Sequence, residues 1–165
     1  MERRHRCRYR CPPRGGILGH HWQPQQQVEA HTNQLLDAMA DRNWGAVSQL
    51  IADDYSDDWG FSKATGLDYS QQLFQQFTRL SFEPRTIEVT LNESQQIGEA
   101  KTQFQVDGTS RSPIATIAQA ELNDLAEPFT FTWKQQSWKP FDWQLIKLGH
   151  PSLDLEGGTW GGSPF

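Results

Sequence analysis

Two periodicities divide the chain. From Gln25 to about Arg42, Val28, Leu35 and Met39 fall on one helical stripe with Leu36 and Ala38 beside it, while Gln, Glu and Asn fill the opposite face. The spacing predicts a first helix there. Asn43 stands where an N-cap belongs, and Trp44, Val47, Leu50 and Ile51 recur at helical steps until Asp53 and Asp54 stop them, which predicts a second, antiparallel helix. After an extended stretch from Tyr55 to Phe61 and a turn at Gly66, Asp68 with Gln71 three positions on resembles a capping box. A third helix is expected from that point, with Tyr69, Leu73, Phe77 and Leu80 inward and Pro84 beyond its end.

Past Pro84 the period changes to two. Ile87, Val89 and Leu91 alternate with Glu88 and Thr90, and Thr102, Phe104 and Val106 alternate with Gln103 and Gln105, as in half-buried antiparallel strands. Phe129, Phe131 and Trp133 alternate in the same way, and a turn through Ser137 to Pro140 returns the chain toward His150, so a long hairpin is expected. Ile114 to Leu125 fits two readings: its apolar spacing suits a helix, whereas its place between strands suits a bent strand. Three helices followed by four or five antiparallel strands make the class α+β, with the helices packed on one side of the sheet.

Composition and charge then narrow the function classes. A length of 165 residues suits one domain. The expected organisation is a disordered basic arm over 1–22, a folded domain over 23–150 and a flexible Gly-rich tail over 151–165. The arm holds six Arg against Glu2, a net charge of +5, and the remainder of the chain carries −10. An acidic body lacks the basic face that phosphate neutralisation requires, so no specific nucleic-acid partner is expected. No apolar run approaches the length of a membrane span. The Arg-rich start lacks the apolar segment of a secretory leader, which leaves a cytoplasmic location as the expectation. Cys7 and Cys11 both lie in the arm, so neither staples the body. His5, His20 and His21 accompany them, but adjacent histidines converge poorly on a tetrahedral zinc, and no metal or cofactor is assigned.

The candidate chemistry lies in two places. Asp53, Asp54, Asp57 and Asp58 crowd around Tyr55 and Trp59, and four carboxylates in one dry site would raise each other's pKa, so at least two are expected in water. These acids either end a helix and solvate a loop or supply one carboxylate to an aromatic pocket, where desolvation would suit it to proton abstraction. Phe129, Phe131 and Trp133 share one strand face, with Trp143 on the hairpin partner and Phe104 on another strand. They form a core against the helices or the wall of a pocket for a flat apolar ligand.

The segments LLDAMADRNWGAVSQLIADDYSDDWG, GLDYSQQLFQQF and the FTFTW to FDWQLIKL hairpin resemble the nuclear transport factor two-like superfamily over about residues 25–150. The resemblance implies a cone: a strongly curved antiparallel sheet around three N-terminal helices, a cystatin-like α+β roll with an apolar pocket. Members include SnoaL-like polyketide cyclases, ketosteroid isomerases, scytalone dehydratases and non-catalytic association domains. Carrying over the isomerase base lands on Asp58, or on Asp57 if the gap falls differently. The Tyr position of the isomerase oxyanion hole falls on Leu35, which argues against that activity. Arg85, Arg111, Asp107 and Asp142 supply the residue types of an epoxide hydrolase without its spacing. A SnoaL-like His and Asp pair would bring His150, or His31, to Asp58. The resemblance thus implies a pocket for a small, mostly apolar molecule, lined by Tyr55, Trp59, Phe77, Phe104, Phe131, Trp133 and Trp143. Any chemistry would be cofactor-independent isomerase, cyclase or dehydratase chemistry with Asp as base. The alternative is a non-catalytic binding or assembly module, and a homodimer is expected in either case.

Overall fold

The computed structural model describes residues 23–139 and 141–153. The basic arm, with its cysteines and three of the histidines, and the tail from Asp154 onward lie outside the described residues. The described elements are α1 (Pro24–Ala40), α2 (Trp44–Leu50), α3 (Lys63–Gln75), β1 (Phe77–Leu91), β2 (Ile97–Ser110), α4 (Pro113–Asp124), β3 (Phe129–Gln135) and β4 (Trp143–Gly149). The strands pair antiparallel in chain order, β1-β2-β3-β4. Register shifts in β1 near Phe77 and Thr86 and in β3 at Thr132 bend the strands, because an extra residue on one side of a ladder increases local twist. The helices and the curled sheet are of the α+β class that the periodicities imply, and they make the roll that the resemblance implies.

The buried side of α1 is the stripe read from the sequence: Val28, Leu35 and Leu36 are buried in one cluster with Ala100, Phe131, Trp133 and Leu145 of the sheet. Close approach of α1 to β2 depends on Gly98, where an added Cβ would stand 2.5 Å from Val28 Cγ2 and 3.0 Å from Leu91 Cδ2. Thr32 and Trp133, both fully buried, satisfy each other: the indole Nε1 donates to Thr32 Oγ1 at 2.9 Å, and that hydroxyl donates to the Val28 carbonyl at 2.9 Å. α2 starts where expected, with Asn43 Oδ1 accepting the Ala46 amide at 3.2 Å.

Three segments depart from expectation. α3 starts at Lys63, ahead of Asp68, because Ser62 and Thr65 cap each other: Ser62 Oγ accepts the Thr65 amide and Thr65 Oγ1 accepts the Ser62 amide. Gly66 is therefore helical. α3 also ends at Gln75, so Phe77 and Leu80 belong to β1 and Pro84 lies inside that strand. Proline is tolerated there because β1 is an edge strand with no ladder on its outer side. Residues 113–124 form a helix, opened by Ser112 as cap and Pro113 at the first turn, and the buried positions of α4 are the small residues Ala115 and Ala118. Ile114 and Ile117 are its exposed large residues, while Leu122 packs partly buried against both apolar clusters.

Candidate functional site

The segment after α2 runs beside β4. The Ala52 amide donates to the Leu145 carbonyl at 2.9 Å, Ser56 to Ile146 at 3.2 Å and Asp58 to Leu148 at 3.2 Å. Backbone groups of the even residues are thus spent on β4, and the side chains alternate as in a strand. Tyr55 and Trp59 are buried, Asp57 is half-buried, and Ser56 and Asp58 are exposed. Of the two candidate bases, Asp57 is the one that shares a face with the aromatic pair.

That face lines a cavity of about 210 Å³. Its walls are apolar: Leu35, Leu36 and Met39 from α1, Val47 from α2, Leu73 and Phe74 from α3, and Phe82, Phe104, Phe129, Phe131, Leu145 and Leu148 from the four strands. Few polar side chains reach the wall. Lys63 contributes its stem, since its ammonium turns to Asp53 at 2.8 Å and holds that exposed carboxyl below its usual range. Tyr69 stacks on Phe61 with ring centroids 5.4 Å apart, and desolvation raises its phenol pKa.

Asp57 and Tyr55 form a hydrogen-bonded polar pair on the wall. Asp57 Oδ1 accepts the Trp59 amide at 3.0 Å and the Phe61 amide at 2.7 Å, which closes the turn around Gly60 with its φ of 82°. Oδ2 accepts the Tyr55 hydroxyl at 3.3 Å. Burial pushes the Asp57 carboxyl above the usual carboxylate range, against the lowering pull of the two amides and the phenol, and nearby Asp58 adds to the rise. Tyr55 is driven well upward, first by desolvation and then by the two acids, so it remains a neutral hydrogen-bond donor. The geometry therefore offers one carboxylate oxygen held in a turn, a second facing a hydroxyl, and an apolar chamber beside both.

Asp58 points the other way. Its Oδ1 pairs with Lys147 at 2.6 Å, and it crosses Gly149 so closely that any side chain there would collide with its carboxylate. His150 is buried and does not line the cavity: its Nε2 lies 2.9 Å from the Glu127 carbonyl and its Nδ1 3.2 Å from the Ser152 amide. No hydrogen bond joins it to either acid. His31 is also held by backbone, with Nδ1 2.8 Å from the Gln27 carbonyl and Nε2 3.2 Å from that of Phe141.

Among the expected wall residues, Tyr55, Trp59, Phe104 and Phe131 line the cavity. Phe77, Trp133 and Trp143 do not. Phe77 fills a second cluster with Phe74, Leu80, Val106 and Ala115 below α4. Trp133 is sealed behind Thr32, and Trp143 lines a separate surface cleft between α1, α2 and the hairpin. Sequence reasoning passed over Leu153, Leu148 and the α1 leucines as wall. It also placed Asp58 before Asp57, although the two-residue spacing of Tyr55, Asp57 and Trp59 carried the signal. Among the described residues no three metal-ligating side chains converge.

No protein-family model matches the sequence, and no curated protein matches it. Solved structures do. A conserved protein from Planctomyces limnophilus superposes with a TM-score of 0.58 at 16% identity, covering 75% of this chain and 91% of that one. A hexachlorocyclohexane dehydrochlorinase of type 3 from Novosphingobium barchaimii gives 0.55 at 13% identity, covering 74% and 82%. A domain from Nostoc punctiforme described as having a cystatin-like fold gives 0.51 at 14% identity, covering 78% and 77%. At these identities the likeness is one of fold, and the chain has a cystatin-like fold.

Proposed function

We propose that this chain is a SnoaL-like pocket protein that takes a small, mostly apolar molecule into the cone and performs acid-base chemistry on it through Asp57 and Tyr55. The observation that carries the reading is a half-buried carboxylate with a raised pKa, fixed by two amides, on the wall of an otherwise apolar cavity. A solvated loop acid needs no such chamber, and an apolar core tolerates no such acid without a reason. In this reading Asp57 Oδ2 accepts a proton from an activated C–H of the ligand. The Tyr55 hydroxyl, which otherwise donates to Asp57 Oδ2, turns its single O–H to the ligand oxygen that gains charge. Isomerisation, cyclisation and elimination all begin with that step, and the dehydrochlorinase named above supports it by analogy of fold. No described helix is long and apolar enough to cross a membrane.

The cavity sets the size of the probe. A dry cavity of ~150 Å³ holds benzene, so about 210 Å³ suits a compound of one or two rings. 2-Tetralone has two rings and acidic C–H bonds beside its carbonyl. The full chain is expected to bind it and to speed exchange of those protons in deuterated water, followed by NMR. Asp57→Asn should bind it equally and slow the exchange by at least ~100-fold, the lower end of what a general base contributes. Asp58→Asn should match the parent. Binding without faster exchange in the parent would assign the alternative, a non-catalytic module of the same fold. Absence of binding would remove the pocket reading. Homodimerisation through the sheet belongs to the same proposal.

A further inference from the structure

Leu153 lies on the cavity wall, and its carbonyl accepts the Trp59 indole N–H at 2.6 Å. Leu153 thus closes part of one side of the chamber, and Pro151 and Ser152 tie it to the end of β4. At their other end stands His150, whose ring is only 5% exposed and packs on Phe129 with centroids 4.6 Å apart. Phe129 is itself cavity wall. The two ring nitrogens face different partners: Nε2 a carbonyl, which only accepts, and Nδ1 an amide N–H, which only donates. Those partners assign the tautomer: Nε2 carries the proton and Nδ1 offers its lone pair to Ser152.

We infer that His150 is a positioning residue that latches residues 151–153 across the cavity, and that protonation of Nδ1 releases them, so that ligand exchange depends on pH. The inference rests on the pocket reading above. An imidazolium has no lone pair at Nδ1 and sets N–H against N–H, which breaks the Ser152 bond while leaving the Glu127 bond intact. Ser152 is one residue from Leu153, so the lost bond leaves Leu153 held by the Trp59 indole N–H and its apolar contacts. The charged groups that line the same surface cleft as His150 are Asp58 and Lys147, paired with each other, and Glu99 of β2. Glu127 adds its carbonyl from the approach to β3. Imidazole is the side chain whose charge ordinarily changes between about pH 5 and 8, so this window is the one to search.

Naphthalene is a suitable probe because it has two rings and no titratable group. Its release from the full chain, followed by stopped-flow fluorescence, should be about fivefold faster at pH 5.5 than at pH 8, the factor that one lost backbone hydrogen bond is worth. His150→Asn keeps an acceptor for the amide two residues on, in an Asx-turn, and cannot titrate there. That variant should release slowly at both pH values, although it retains Asp57. His150→Ala should release fast at both. In the unaltered chain, protection of the Ser152 amide from hydrogen exchange should fall by a similar factor at the lower pH. Release from the parent that does not change with pH, or a His150→Asn variant that keeps the parent's pH dependence, would overturn the latch alone. Failure of naphthalene to bind at pH 8 would overturn the pocket reading together with the latch.

Discussion

Asp57 gives up water on entering the cavity wall, and the cost appears as a linkage between folding and pH. Its carboxyl is raised above the ordinary value of 3.8, chiefly by burial, so the folded chain holds this proton at pH values where the unfolded chain has lost it. Stability from this group is therefore fully present below the ordinary value, falls as pH rises through the window up to the raised value, and stays at its lower level above it. Asp57→Asn escapes that loss while its Oδ1 keeps both turn amides. The expected outcome is a thermal stability difference between variant and parent that moves in the variant's favour between about pH 4 and neutrality. A difference that stays flat over that range would identify Asp57 as an ordinary turn carboxylate. Asp58 offers the control, since its partner Lys147 lies at the surface and an exposed pair of this kind contributes ~0–1 kcal/mol.

At the scale of elements, the placing of α3 decides how far the cavity reaches. Ser62 and Thr65 start the helix ahead of Gly66, which brings Gly66, Leu67, Tyr69 and Ser70 onto one wall of the chamber. Ser62→Ala should cost about 1 kcal/mol in urea denaturation, the usual value of a hydroxyl N-cap. Asp68→Ala, at an exposed mid-helix position, should stay within ~0.5 kcal/mol of the parent. The reverse ranking would move the helix start back to Asp68. The misreading has a physical origin: both Ser62-x-x-Thr65 and Asp68-x-x-Gln71 satisfy the pattern of an acceptor followed by a polar group at the third position. Which pair acts depends on where the chain leaves β4, and the bridge between Ser56 and Ser62 sets that point.

Among the described residues the molecule has two buried clusters, one around α1 and the sheet and one below α4. Met39, Trp44, Phe82, Phe104 and Leu122 pack against both. Rings continue the connection from Trp44 to Phe74, Phe82, Phe104 and Phe129, each within 5.8 Å of the next. Neither cluster can lose its packing without exposing residues of the other, so a single cooperative transition is expected. Urea unfolding followed by far-UV circular dichroism and by tryptophan fluorescence should give coincident curves. Separated midpoints would mean that α4 and its cluster unfold as an independent unit.

The α+β class, the first two helices and the hairpin were legible because they follow from periodicity, and periodicity is a local consequence of side chains choosing between water and a core. The Asn43 cap was legible for the same reason: its partner is three residues away. Other features had no local signature. The extent of β1 through Pro84 depends on its being an edge strand, α4 buries alanines in place of its isoleucines, and Trp133 and Trp143 face closed packing and a surface cleft instead of the chamber. The choice between Asp57 and Asp58 was of this second kind. Adjacent residues in an extended segment point to opposite sides, and which side is inward was set by hydrogen bonds to Leu145, Ile146 and Leu148, about ninety residues further along the chain. Local chemistry determined that a carboxylate would stand beside Tyr55 and Trp59, and only the register against β4 decided which one meets the cavity and which one meets Lys147.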